Sequence, residues 1–217
     1  AKIAARCMVG QSLVSQGVTR EIVPPYFSVK EAVLPFNKFP GTDPILGPEM
    51  KSTGEVMGTG DTFAAAFARA QLGAGDDPPT SGLCLISVRD VDKAAAVEVA
   101  RRLVARGFTL AATGGTAKAL TDAGLTVRMV NKVAEGRPHI VDLIKNDEAS
   151  IIINTTEGRR AIIDSASIRA SAEQHNVFYT TTLAAAEAVC MALEQETDIT
   201  VRRLQDLHDS IHESRVV

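Results

Sequence analysis

Between residues 83 and 193 short apolar runs alternate with helical runs, and this alternation restricts the fold more than any other feature of the chain. Strands are expected at 83–88, 108–112, 126–130, 151–153 and 177–179. Helices are expected between and after them, at 92–106, 116–123, 140–145, 165–175 and 183–193. In the first helix Ala96, Val97, Ala100, Leu103 and Val104 share one face, the spacing of an amphipathic helix. Strands this apolar, joined by connections long enough to cross over, pair in parallel and need cover on both sides. The expected class is therefore α/β: a five-stranded parallel sheet with helices on both faces. A tail at 200–211 repeats Val201, Leu204, Leu207 and Ile211 at helical spacing and is expected to pack outside that sheet.

The 217 residues are enough for one ample domain or two small ones. The sharpest change in composition falls at 73–82, GAGDDPPTSG, a stretch of turn formers with nothing to bury. It divides the chain into 1–72, a linker at 73–82, and 83–217. The first part reads as a helical start at 1–13, a Val23-Pro24-Pro25-Tyr26 turn, a Gly- and Pro-rich loop at 39–60, and a helix at 61–72. Within that loop Glu49, Lys51, Ser52, Thr53 and Glu55 form a polar cluster suited to a hydrogen-bonded turn or to part of a site. A loop of that length needs neighbouring structure to lie on.

Charge narrows the functions available. With 23 Lys plus Arg against 26 Asp plus Glu the net charge is −3, which gives no general attraction to phosphate backbones or anionic lipid. Residues 1–72 carry 7 basic and 6 acidic side chains, so neither part is a basic module. No nucleic-acid or membrane partner is expected. No stretch approaches the length of a membrane-spanning apolar run, and residues 1–8 lack the pattern of a signal peptide, so a cytoplasmic location is expected. Cys7, Cys84 and Cys190 lie in apolar runs and are expected to be reduced core thiols.

In open parallel sheets ligands bind beyond the carboxyl ends of the strands, where the following helices direct their positive amino ends. After the first strand come Ser87, Arg89 and Lys93; after the second, Thr113-Gly114-Gly115-Thr116. Asn131 and Lys132 follow the third, and Asn154-Thr155-Thr156 the fourth, with Gly158, Arg159 and Arg160 beyond. Hydroxyls, amides and cations thus converge on one rim with no carboxylate directly at a strand tip. Each feature alone has an ordinary structural explanation: a glycine turn, a solvated lysine, a helix cap. Together they suit a phosphate-bearing small molecule, although neither a G-x-G-x-x-G nor a P-loop pattern is present.

Other chemistry is thinner. His208 and His212 stand four apart on the tail helix and would suit one metal, but no third ligand is evident. His139, after Pro138 at a helix start, serves equally well as a loop-positioning residue or a functional one. No G-x-S-x-G elbow or Cys–His pair suggests a covalent nucleophile.

Several runs carry a family resemblance. Residues 29–41, VKEAVLPFNKFPG, and 46–58, LGPEMKSTGEVMG, resemble the end of the second ATP-grasp unit of carbamoyl-phosphate synthase large subunits. Residues 112–116 (ATGGT), 130–133 (VNKV), 135–139 (EGRPH) and 153–156 (INTT) resemble the same family's C-terminal regulatory domain, of the methylglyoxal-synthase-like fold. The match covers nearly the whole chain, with its motifs in order. It implies an enzyme that makes carbamoyl phosphate from bicarbonate, glutamine-derived ammonia and two ATP, for arginine and pyrimidine synthesis. That enzyme uses ATP, magnesium or manganese, and potassium, and works with a glutaminase small subunit; no cofactor and no catalytic residue is implied within residues 1–217.

For this stretch the resemblance implies binding of the effectors UMP and IMP and contacts between copies. Ser87, Lys93, Thr113, Thr116 and Lys132 match family positions near the nucleotide phosphate, and Asn154 and Thr156 match positions around phosphate and ribose. Glu31 and Thr181 match contacts to the activator ornithine; Thr180 stands where the enterobacterial form has Asp. The phosphorylating chemistry is expected to lie outside this stretch. A methylglyoxal-synthase-like lyase acting on a triose phosphate is the alternative: Glu135 and His139 would then be its proton-transfer groups, although its Gly-Asp motif is missing.

Overall fold

The computed structural model describes residues 1–21, 23–34, 54–156, 163, 165–195 and 201–213. The expected cluster at Glu49, Lys51, Ser52 and Thr53, the motif residues 35–53, and Gly158, Arg159 and Arg160 lie outside the described residues.

The chain divides into two compact units, residues 1–26 with 200–217, and residues 27–199. This division is drawn by packing and differs from the one drawn in sequence at 73–82. In the smaller unit α1 (Lys2–Met8) is shorter than the helix expected at 1–13 and buries none of its side chains. A single 3-10 turn follows at Val14–Gln16, where the Gln16 amide donates to the Ile3 carbonyl at 3.4 Å and meets Cys7 Sγ at 3.3 Å. Cys7 is thus partly exposed, outside any core, which corrects its expected burial. The last described helix, Leu204–Glu213, also belongs to this unit.

The larger unit opens with an antiparallel hairpin, β1 (Phe27–Val33) and β2 (Gly54–Gly60), on which α2 (Phe63–Ala74) packs. β2 corrects the expectation of a loop running to residue 60. It looks like a loop in sequence because three of its seven residues are glycine, yet a Cβ on Gly58 would collide with the backbone of Ala66 and Ala70. The glycines let helix and strand approach closely. Thr62 caps α2, accepting from Ala65 N at 3.2 Å.

The remainder is the expected α/β sheet. β3 (Gly82–Ser87), α3 (Lys93–Ala105), β4 (Phe108–Thr113), α4 (Gly114–Asp122), β5 (Val127–Val130), α5 (Ile140–Lys145), β6 (Ala149–Asn154), α6 (Ala166–Gln174), β7 (Phe178–Thr180) and α7 (Leu183–Leu193) follow in order. The strands are parallel, in the order β5-β4-β3-β6-β7. Alternation splits the core in two. Cys84, Ile86, Leu110, Ala112, Ile151 and Ile153 pack under α3, α4 and α7. Leu85, Ala111 and Ile152 pack under α5 and α6. The branched side chains of Ile151–Ile153 suit a strand buried on both faces. The order in which strands are added reverses between β3 and β6, so the crevice for a ligand opens at their carboxyl ends.

Candidate functional site

The site is built from one register layer. Ser87 pairs with Asn154 across β3 and β6, and Thr113 ends the neighbouring β4. All three continue the face of Leu85, Ala111 and Ile152, because side chains two residues apart on a strand point the same way. Ser87 Oγ and Thr113 Oγ1 are hydrogen-bonded at 3.0 Å. Asn154 is 5% exposed, and among the described residues its side-chain nitrogen has no hydrogen-bond partner. A buried amide donor left open at a strand end is costly unless something outside the protein accepts from it.

α4 begins on this rim directly after Thr113. Its N-cap residue Thr113 makes no side-chain cap, because the hydroxyl is hydrogen-bonded to Ser87 instead. Lys93, the first residue of α3, extends its ammonium over this helix end. A Cβ at Gly115 would sit 2.9 Å from Lys93 Nζ, so the ammonium lies directly against this glycine. A cation beside the positive end of a helix is a combination that favours an anion between them. Lys93 meanwhile pairs with Asp90 at 2.7 Å. Lys93 lowers the Asp90 carboxyl below its ordinary range, and the charge of Lys132 adds to the effect.

Thr116 is buried and committed within the protein. Its hydroxyl donates to Val88 O at 3.3 Å and accepts from Val88 N at 3.2 Å, which places it as a residue that shapes the β3–α3 connection. Thr155, one of the strand-end hydroxyls expected on the rim, holds the same connection from the other side. It accepts from Arg89 N at 3.2 Å and donates to Asp92 Oδ2 at 2.6 Å. Asp92 also receives Arg89 Nε at 2.6 Å, and the bonds from Arg89 and Thr155 hold its carboxyl low. Carboxylates reach the rim from beyond the strand tips. Asp90 and Asp92 stand a few residues past the β3 tip, and the turn there brings Asp92 back onto the end of β6. Thr156 is half-buried next to this lattice.

The other expected site lies elsewhere. Glu31 on β1 accepts from Gln71 Nε2 at 2.5 Å, and burial followed by the charge of Asp76 raises its carboxyl above the ordinary range. Thr181 is exposed just before α7, and Thr180, before it, is buried with an unpartnered hydroxyl among the described residues. α2 packs on both β1, which carries Glu31, and α7, which Thr181 precedes.

Glu135 and His139 serve local structure. Glu135 accepts from Lys132 N at 2.9 Å, and His139 caps α5, its Nδ1 accepting from Asp142 N at 3.3 Å while Asp142 accepts from His139 N at 3.0 Å. Among the described residues no three His, Cys, Asp or Glu side chains are grouped to hold a metal, and no helix is long and apolar enough to cross a membrane. A pocket of about 690 Å³ lies at the opposite, amino end of the sheet, lined by Leu83, Val104, Phe108 and Leu125. It is away from the polar rim.

Residues 95–181 match the MGS-like domain, a class the five-stranded α/β sheet fits. Over 97% of its length the chain is 63% identical to the carbamoyl phosphate synthase large chain of Pseudomonas aeruginosa, and over 96% it is 64% identical to that of Pseudomonas putida. The Vibrio cholerae large chain is 58% identical over 96% of the chain. The chain belongs with these large chains as the counterpart of a C-terminal portion, spanning about 20% of their length.

Proposed function

We propose that residues 83–217 are the regulatory domain of a glutamine-dependent carbamoyl-phosphate synthase, binding a nucleoside monophosphate of the UMP or IMP type at the strand-end rim. The observation that carries this is the Lys93 ammonium lying over the uncapped amino end of α4 at Gly115. The open Asn154 amide supports it, as does the Ser87–Thr113 layer beside it. In this reading Lys93, Lys132 and the α4 amides hold the phosphate, Ser87, Thr113, Asn154 and Thr156 hold phosphate and ribose, and Thr116 positions the loop between them.

Residues 1–72 are, on the same proposal, the end of an ATP-grasp unit, and ornithine is held beside Glu31 and Thr181. A half-buried carboxylate with a raised proton affinity gains from a neighbouring cation. Carbamoyl phosphate formation for arginine and pyrimidine synthesis, with ATP, magnesium or manganese, potassium and a glutaminase subunit, belongs to the whole cytoplasmic enzyme. Contacts between copies belong to it as well.

Calorimetric titration with UMP and then IMP, in phosphate-free buffer, tests the rim. Saturable binding is expected, weakened about tenfold by Lys132→Ala, the scale of one charge-assisted contact. A folded protein that takes neither nucleotide at millimolar concentration would refute the proposal.

A further inference from the structure

Among the described residues the rim gathers positive potential from Lys93, Lys132 and the amino end of α4, besides Arg89, which Asp92 holds, and Asp90 already answers Lys93. Asp90 Oδ1 lies 2.7 Å from Lys93 Nζ, and that same ammonium lies against Gly115 at the start of α4. An incoming phosphate that binds the α4 amides therefore meets a lysine already paired. The Asp90 side chain is 93% exposed, on a short 3-10 turn at Asp90–Asp92, so moving it aside disrupts no packing. Its neighbour Asp92 is different: it is fixed by Thr155 and Arg89 and serves the loop. Two acids two residues apart thus have separate tasks, one structural and one left free to exchange partners.

We propose that the Asp90 carboxylate is a built-in competitor for the anion subsite, occupying Lys93 when no ligand is bound and lowering the affinity of the rim for phosphate. This deepens the proposed nucleotide site and rests on it. The exchange is charge for charge: phosphate takes the ammonium, and the released carboxylate turns to water. Lys93 and Lys132 hold Asp90 ionised throughout the neutral range, so the competition is constant there and does not act as a pH switch. The consequence is an affinity set below what the two lysines and helix end would reach alone, which suits an effector site that must empty as ligand concentration falls.

The test is calorimetric titration of the chain with UMP and with inorganic phosphate, comparing wild type with Asp90→Asn, Asp90→Glu and Glu98→Gln. Glu98 is an exposed acid on α3 whose partner is Arg101 at 3.8 Å, so its substitution removes the same net charge away from Lys93. Asp90→Asn is expected to tighten both probes about three- to fivefold, the scale of one exposed ion pair. Asp90→Glu keeps an acid within reach of Lys93 and should bind like wild type; Glu98→Gln should do the same. Thermal unfolding of each variant verifies that it is folded.

If wild type binds UMP and Asp90→Asn binds it equally or more weakly, the competitor is refuted while the nucleotide site stands. Equal tightening by Glu98→Gln would also refute it, by assigning the effect to net charge. If neither wild type nor Asp90→Asn binds either probe, the nucleotide site itself is refuted, and the competitor with it.

Discussion

Glu31 shows how one residue carries a cost that depends on pH. Burial and Asp76 raise its carboxyl above the ordinary value of 4.5, against the opposing bond from Gln71. Between that value and the raised one the folded state holds a proton that the unfolded state has released, so stability falls as pH rises through the interval. Below 4.5 both states are protonated and the stabilising effect of the neutral acid is fully present. Glu31→Gln keeps an oxygen for Gln71 and removes the charge. It is expected to raise the melting temperature at pH 7 by about 1–3 °C, with the gain vanishing below pH 4.5. A gain that does not change with pH would contradict this account. A cation bound beside Glu31 would relieve the same cost.

Among the elements, the β3–α3 connection is the one whose stability bears on the rim. Thr116 fixes it from α4 and Thr155 from the end of β6, so the loop that presents Asp90 and Lys93 is tied on both sides. Thr155→Val keeps the shape but leaves Arg89 N–H without its acceptor and removes one of the donors to Asp92, whose bond from Arg89 Nε remains. A loss of about 1–3 kcal/mol is expected. Urea unfolding should show it as a lower midpoint with an unchanged slope, and an unchanged midpoint would show that water replaces the threonine. Ser87, Thr113, Lys132 and Asn154 are legible in sequence because each ends a strand or closely follows one, and Lys93 because it opens the helix after the first strand. Thr155 and Asp92 were not legible as a pair: 63 residues separate them, and only the β3–β6 pairing brings them together.

At the scale of the molecule, the three thiols report on the two units. Cys84 and Cys190 lie in the core under α3, α4 and α7, and burial raises both, Cys190 to about 11. Cys7 lies partly exposed in the other unit. Titration with an aromatic disulfide reagent should find one fast thiol in the native protein and three in denaturant, with the slow two following global unfolding. Three fast thiols in the native state would mean that the sheet opens locally at β3 or α7.

The sequence by itself determined the sheet: five apolar runs separated by helix-period segments admit few arrangements other than a parallel sheet covered on both faces. It also indicated the rim, because ligand groups follow strand ends whatever the strand order. The hairpin was hidden, since β2 owes its glycines to the close approach of α2 and its sequence therefore reads as a loop. Tertiary structure alone decided how the polar groups are shared: which hydroxyls serve the loop, which amide stays open, and that Asp90 holds Lys93. Hydrogen bonds and ion pairs form between groups a few ångströms apart in space. Local periodicity specifies elements, while those distances are set only when the elements pack.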